Sequence, residues 1–153
     1  WKLDMPKIYA NHYAASGPNA LIDGEMGGLD FRTGAWQGTW GKDIEFSLKI
    51  PRTKTDSEIR LRCLQDQNSW ILVPEWVEVM VSEDGKKYVS LGKEFHKFAK
   101  DHLTSVIQTY EWNLPKNSKY IKFFVKNPGP MPKDHIGAGG DSWIFMDEIT
   151  IGE

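Results

Sequence analysis

The 153-residue chain contains one cysteine, Cys63, so no internal disulfide framework holds it and its stability has to come from a core. A chain this long buries one without staples. Cys63 lies in the apolar alternation of 59–64 and reads as a small buried hydrophobe, with a reactive thiol the lesser reading. Long apolar runs are also missing, and none approaches the roughly 20 residues that a membrane-spanning helix needs. There is no basic excess: a net charge of -2 gives no electrostatic footprint for nucleic acid or an anionic membrane. No stretch carries a helical stripe. Catalytic signatures are absent as well, whether HExxH, a phosphate loop, an ordered Ser/His/Asp set or Cys/His metal spacing. Asp66, Asp134 and Asp141 are the acids that a glycosidase reading would enlist, but nothing sets them apart from solvated loop carboxylates. No repeat, linker or low-complexity tract divides the chain, so residues 1–153 read as one domain. The chain opens at Trp1 with no signal-type segment, which reads as a piece of a longer precursor.

What the sequence does have is tryptophan, seven in all, and short alternating segments between turn signals. The run 43–50 (DIEFSLKI) places Ile44, Phe46, Leu48 and Ile50 on one face, the pattern of a half-buried strand. The segments 58–64, 76–82, 106–114, 120–125 and 142–151 read the same way. Glu83-Asp84-Gly85 predicts a tight hairpin turn, with 86–91 pairing back. Residues 8–15 read as a weak strand or an extended lead-in, and 95–105 as a helical turn or a meandering loop. Seven or eight strands without a helix predict an all-β antiparallel sandwich, preferably a jelly roll with both termini at one end.

Two long loops break this pattern. The first, 19–40 (NALIDGEMGGLDFRTGAWQGTW), has five Gly and fits neither periodicity. Its two Trp, its Phe and its aliphatic residues need cover, so it reads as a structured loop wound around something. Asp23 and Glu25 flank Gly24, the Thr33 hydroxyl follows, and such a loop also exposes backbone carbonyls. These are the hard oxygen ligands that calcium takes. A polar surface loop capped by Asp23 is the alternative. Asp147 and Glu148 interrupt the last apolar strand, and a buried carboxylate there wants either a cation shared with Asp23 or a salt bridge, for instance to Arg32, Lys42 or Arg60. The second loop, 127–141, carries four Gly and three Pro.

The order ALIDG, a Thr in a Trp-bearing loop, VSEDGKKYVSLG, YIKFFVKN and a final WIFMDEITI resembles the discoidin, or factor five/eight type C, domains. These have the galactose-binding-like fold that also supplies carbohydrate-binding modules to bacterial glycoside hydrolases. The runs FRTGAWQG, LQDQNSW and NPGP…H…G…SWIF are similar to the C-terminal modules of Bacteroides-type β-N-acetylhexosaminidases (chitobiase-like). The resemblance implies a structural Ca2+ joining the early loop to the last strand. Its ligands would be the side chains of Asp23 and Thr33, the carbonyls of Ala20 and Glu25, and the Asp147-Glu148 pair, with Glu148 giving its carboxylate. It further implies a non-catalytic, secreted, periplasmic or cell-surface module that binds a terminal sugar such as GlcNAc, GalNAc or galactose through end loops, without nucleic acid or membrane insertion.

A sugar site needs an aromatic platform and a few polar groups. Trp36 or Trp70 is the candidate platform, and Gln65, Asp66, Asn68, Asn127 and His135 are the candidate polar contacts. Each also has a plain structural reading. The family pattern of His, Arg and Asn around an aromatic lacks its Arg here, since none lies between Gln65 and Trp70. A module that docks on a catalytic domain of the parent chain and binds no sugar is the alternative.

Overall fold

The structure, a computed structural model, describes residues 1–152. Its strands are β1 (Lys2–Asp4), β2 (Gln37–Trp40), β3 (Ile44–Lys49), β4 (Ser57–Gln65), β5 (Trp76–Ser82), β6 (Val89–Phe95), β7 (Val106–Leu114), β8 (Tyr120–Lys126) and β9 (Trp143–Gly152). They form two wholly antiparallel sheets, one of five strands in the order β1-β3-β8-β5-β6 and one of four in the order β2-β9-β4-β7. Helical structure among the described residues is limited to single 3-10 turns at Asn11–Tyr13, Ala20–Ile22, Phe31–Thr33 and Gln67–Ser69. The expected all-β sandwich is the observed one.

Period-two alternation builds the core between the sheets. Ile44, Phe46 and Leu48 of β3, Val77 and Val79 of β5, and Ile121, Phe123 and Val125 of β8 face Ile59, Leu61 and Cys63 of β4 and Tyr110, Trp112 and Leu114 of β7. Phe46 and Phe123 stack with ring centroids 4.8 Å apart. Cys63 is buried and free, as read from sequence.

The four-stranded sheet is covered on its other face as well. Trp36, Leu64, Ile71 and Phe145 form a second buried cluster there, closed over by Tyr13, Phe31, Ile107 and Trp143. Residues 8–15, expected as a weak strand or an extended lead-in, contain the 3-10 turn Asn11–Tyr13 that supplies Tyr13 to this cover. Beyond one bond from the Ala10 N–H to the Gly38 carbonyl of β2, that segment contributes hydrophobic cover outside the sheet.

β9 contains the irregularity on which the site depends. Leu61 pairs with Ile149 but Cys63 pairs with Met146, so β9 spends one more residue than β4 over the same interval. This is a β-bulge, and it re-aims the side chains beside it. Ile144 and Met146 face the core before it, and Ile149 after it. Met146 and Ile149, three residues apart, both face the core, so Asp147 and Glu148 between them are both turned away from it and are buried under the outer cover, where a regular strand would put one of the two among the core side chains.

Candidate functional site

The first site is the turn 24–28 laid against the β9 bulge. The Gly24 N–H donates to Glu148 Oε2 at 3.0 Å and the Gly27 N–H to Asp147 Oδ2 at 2.7 Å. Asp147 also receives Arg62 Nη1 at 2.7 Å, and Arg62 Nη2 donates to the Gly27 carbonyl at 3.0 Å. The Arg62 guanidinium lies 5.6 Å from the centre of the Trp36 ring. Trp36 Nε1 in turn donates to the Gly28 carbonyl at 2.9 Å. Gly27 sits directly on this indole, and a Cβ there would come within 2.1 Å of Trp36 Nε1.

Two of the expected acids meet at this turn. The carboxyl of Glu148 faces that of Asp23. Asp23 Oδ2 accepts from Ser16 Oγ at 2.5 Å and its Oδ1 from the Glu25 N–H at 2.8 Å. Among the described residues neither acid has a cationic side chain in ion-pair contact. Burial first, then the proximity of Asp23 and Asp147, pushes Glu148 up to about 7 against the pull of the Gly24 N–H. Burial likewise pushes Asp147 up to about 6, opposed by the Gly27 N–H and by Arg62. Facing carboxylates without a cationic partner suit a hard divalent cation. No three His, Cys, Asp or Glu side chains converge as a metal cluster among the described residues, so a cation here would complete its shell from backbone carbonyls.

The salt-bridge partner of the acidic pair is not one of the three expected. Arg32 pairs with Asp30, Arg60 with Glu58 and Glu111, and it is Arg62 that reaches Asp147. Arg62 occupies the strand position next to the buried Cys63, and the bulge opposite brings Asp147 to it. Thr33 lies exposed in the following 3-10 turn, with its hydroxyl bonded to the Asp30 carbonyl at 3.3 Å. Ala20 is buried and Glu25 exposed at the two flanks of Asp23.

The second site is the rim where β2 ends and β9 begins. Trp40 and Trp143 pair across these strands with ring centroids 5.2 Å apart. Trp40 also meets Trp70 at 6.2 Å with an interplanar angle of 30°. The Trp70 ring is gripped from the far side by the second long loop: a Cβ at Gly137 would come within 2.4 Å of it, and His135 meets it edge-on at 5.8 Å. Trp70 holds a left-handed φ of 65°, a strained backbone for an aromatic residue that surrounding structure must enforce. Trp40, 38% exposed, therefore presents an open ring backed by two further indoles.

Several expected sugar contacts are spent on structure. Trp36, at 1% exposure, lies beneath the 24–28 turn and cannot be a stacking platform. Gln65 is buried, with its amide donating to the Ala99 carbonyl at 2.7 Å and its Oε1 accepting from the Val73 N–H at 3.4 Å. Asn127 Oδ1 accepts from the Gly129 N–H and from Ser142 Oγ, and its amide donates to the Ser142 carbonyl. Buried His135 donates from Nε2 to the Gln67 carbonyl at 2.7 Å and accepts at Nδ1 from the Gly137 N–H at 2.8 Å, so both its nitrogens are taken. Asp66 is half-buried and accepts from Ser69 Oγ at 3.1 Å, while Asn68 is exposed. Sequence reasoning missed Trp40, although its place two residues past Gly38 at the end of a Trp-bearing loop was a usable signal. It also missed Gln67, whose buried Oε1 has no hydrogen-bond partner among the described residues.

No protein-family model matches the chain, and no curated protein does. Solved structures do match. An F5/8 type C domain from Bacteroides fragilis aligns over 100% of this chain and 91% of its own, with a TM-score of 0.59 and 16% identity. The C-terminal domain of a chitobiase from Bacteroides fragilis aligns over 99% of this chain and 93% of its own, with a TM-score of 0.52 and 17% identity. The module CpGH89CBM32-5 from Clostridium perfringens, solved in complex with GalNAc-beta-1,3-galactose, aligns over 99% and 94%, with a TM-score of 0.55 and 13% identity. The likeness is one of fold: the chain has the β-sandwich of the F5/8 type C domains and of these carbohydrate-binding modules.

Proposed function

We propose that this F5/8 type C-like sandwich is a non-catalytic carbohydrate-binding module, an accessory to a secreted, periplasmic or cell-surface glycoside hydrolase such as a β-N-acetylhexosaminidase. The observation that carries the reading is Trp40. Its ring is 38% exposed at the rim of the sandwich and is shored by Trp70 and Trp143. An apolar sugar face stacks on such a ring, and neighbouring polar groups fix its hydroxyls. Asn68 is exposed and Oδ1 of half-buried Asp66 takes no internal bond, so these are the polar groups of the Gln65–Trp70 segment open to do this, while the Gln67 acceptor is buried out of reach. Fold likeness to a module solved with GalNAc-beta-1,3-galactose supports terminal GalNAc, GlcNAc or galactose as the ligand class. Affinity for one sugar is weak, because each hydroxyl exchanges water for protein at little net gain. Tethering to a parent enzyme raises the effective concentration of the module on a polymeric glycan.

A structural calcium ion belongs to the same reading. Asp23 and Glu148 would hold it by their carboxylates, with carbonyls such as those of Ala20 and Glu25 and the hydroxyl of Thr33 as the remaining candidates. Bound there, it supplies the positive charge that the facing carboxylates lack. Trp40 pairs with Trp143, five residues along β9 from Glu148, roughly 16 Å of strand, so the ion's effect on sugar binding is indirect.

A docking role on the parent's catalytic domain is the competing reading. Ile136 and Leu103 favour it, being 97% and 73% exposed on loops tied to the same end by the Gln65–Ala99 and Lys100–Pro128 bonds. Titration with GlcNAc, GalNAc and galactose while following Trp fluorescence separates the two. A saturable change that Trp40→Ala abolishes supports sugar binding; silence across a broad glycan array supports docking.

A further inference from the structure

Arg62 has no part in the sugar rim, and it is one cation among three buried or facing carboxylates. Its guanidinium is planar and offers two parallel donors. It uses them on two different partners, Asp147 Oδ2 at 2.7 Å and the Gly27 carbonyl at 3.0 Å. Asp147 Oδ2 also takes the Gly27 N–H at 2.7 Å. A single glycine is thereby held by both of its backbone polar groups, with its Cα resting on the Trp36 indole. Nothing in this arrangement calls on Asp23 or Glu148, which stand at the other end of the turn around Gly24. The Asp147 side chain is wholly buried and that of Arg62 is 16% exposed. Breaking such a pair leaves an uncompensated buried charge, whereas replacing both partners by uncharged groups does not.

We propose that Arg62 is the resident counter-cation of the 24–28 turn. It neutralises Asp147 and locks Gly27, so the turn is folded before any ion arrives. A divalent cation is then held chiefly by two of the three acids, Asp23 and Glu148; Asp147 spends Oδ2 on the clamp and has only its buried, unpartnered Oδ1 to offer. The ion half of this inference rests on the calcium reading above; the Arg62–Asp147–Gly27 clamp stands without it.

The test uses wild type, Arg62→Met, Asp147→Asn, the double variant and Glu148→Gln. Melting in EDTA reads the clamp. Each single change at 62 or 147 lowers the midpoint, and the double variant falls no further than the worse single, because the two residues act as one pair. Arg62→Lys, which keeps the charge but cannot span both partners, recovers part of the loss. Calorimetric titration with calcium chloride reads the ligand set. The charge-neutral double variant binds within about threefold of wild type, while Glu148→Gln loses about tenfold or more. Additive midpoint losses in EDTA would overturn the clamp. A double variant as defective toward calcium as Glu148→Gln would make Asp147 a ligand and overturn the division of the site. A wild type that binds no calcium defeats the ion reading and the ligand half with it, while the EDTA cycle still decides the clamp.

Discussion

Glu148→Gln in metal-free buffer should remove most of a pH dependence that the wild-type domain displays. In the folded protein Glu148 titrates at about 7, against an ordinary 4.5. The folded state therefore holds its proton more tightly than the unfolded chain does. Such a group adds stability below pH 4.5 and loses it as the pH climbs through 7. A displacement of that size corresponds to roughly 3 kcal/mol between the two ends of the window. For a chain of this length each kcal/mol moves the melting midpoint by about 2–4 °C, so the metal-free midpoint should fall by about 6–12 °C between pH 4.5 and pH 8. Asp147, raised to about 6, adds a smaller decline of the same sign. Glutamine keeps an acceptor for the Gly24 N–H but has no charge to place beside Asp23, so the decline in the variant should shrink to the part owed to Asp147. Calcium, by occupying the facing carboxylates, should lift the wild-type midpoint at pH 7.5 by about 2.7 kcal/mol-equivalent at a hundred times its dissociation constant, and the variant's far less. Circular-dichroism melting across pH 4.5–8 in EDTA and in calcium measures all four curves. A metal-free wild-type midpoint that stays level, or that tracks the variant's, would refute the charge crowding from which the numbers come.

Three further outcomes follow from the geometry. Gly27→Ala drives a methyl onto the Trp36 indole, 2.1 Å from Nε1, and should cost roughly 1–3 kcal/mol in chemical denaturation. His135→Ala orphans the Gln67 carbonyl and the Gly137 N–H, a loss of about 2 kcal/mol, and should weaken sugar binding as well by loosening the loop that grips Trp70. Trp36→Phe, in the second buried cluster, should lower the midpoint while leaving the fluorescence response to sugar in place, since the platform is a different Trp.

The strands were legible because alternation is a property of sequence alone: Ile44, Phe46 and Leu48 declare their face without help from any neighbour. β1 escaped notice because three residues with one inward side chain, Leu3, carry no period. The return strand of the hairpin begins at Val89 and not at Lys86, because the Lys86 and Lys87 N–H groups are consumed by Asp84 Oδ1 in the turn. At the 24–28 turn the meeting of Asp23 with Glu148 was legible, because the resemblance to a known family brought them together. The partnership of Asp147 with Arg62 was not, since it depends on a bulge that shifts β9 by one residue against β4. Trp36 and Trp40 differ by four residues in one loop, and only pairing with Trp143 decides which faces water. His135 and Asn127 looked like ligand contacts because polar residues in Gly- and Pro-rich loops often are. Here a loop without regular structure needs those same groups to satisfy its own backbone.

Observation of the indole N–H resonances of the seven Trp during titration with a GalNAc-terminated disaccharide tests the sugar site most directly. The account predicts that the Trp40 resonance, assigned by its loss in Trp40→Ala, moves furthest and saturably, with a smaller shift at Trp70 and none at buried Trp36 or Trp112. Shifts centred on another face of the sandwich, or none at millimolar sugar across GalNAc, GlcNAc and galactose, would contradict it.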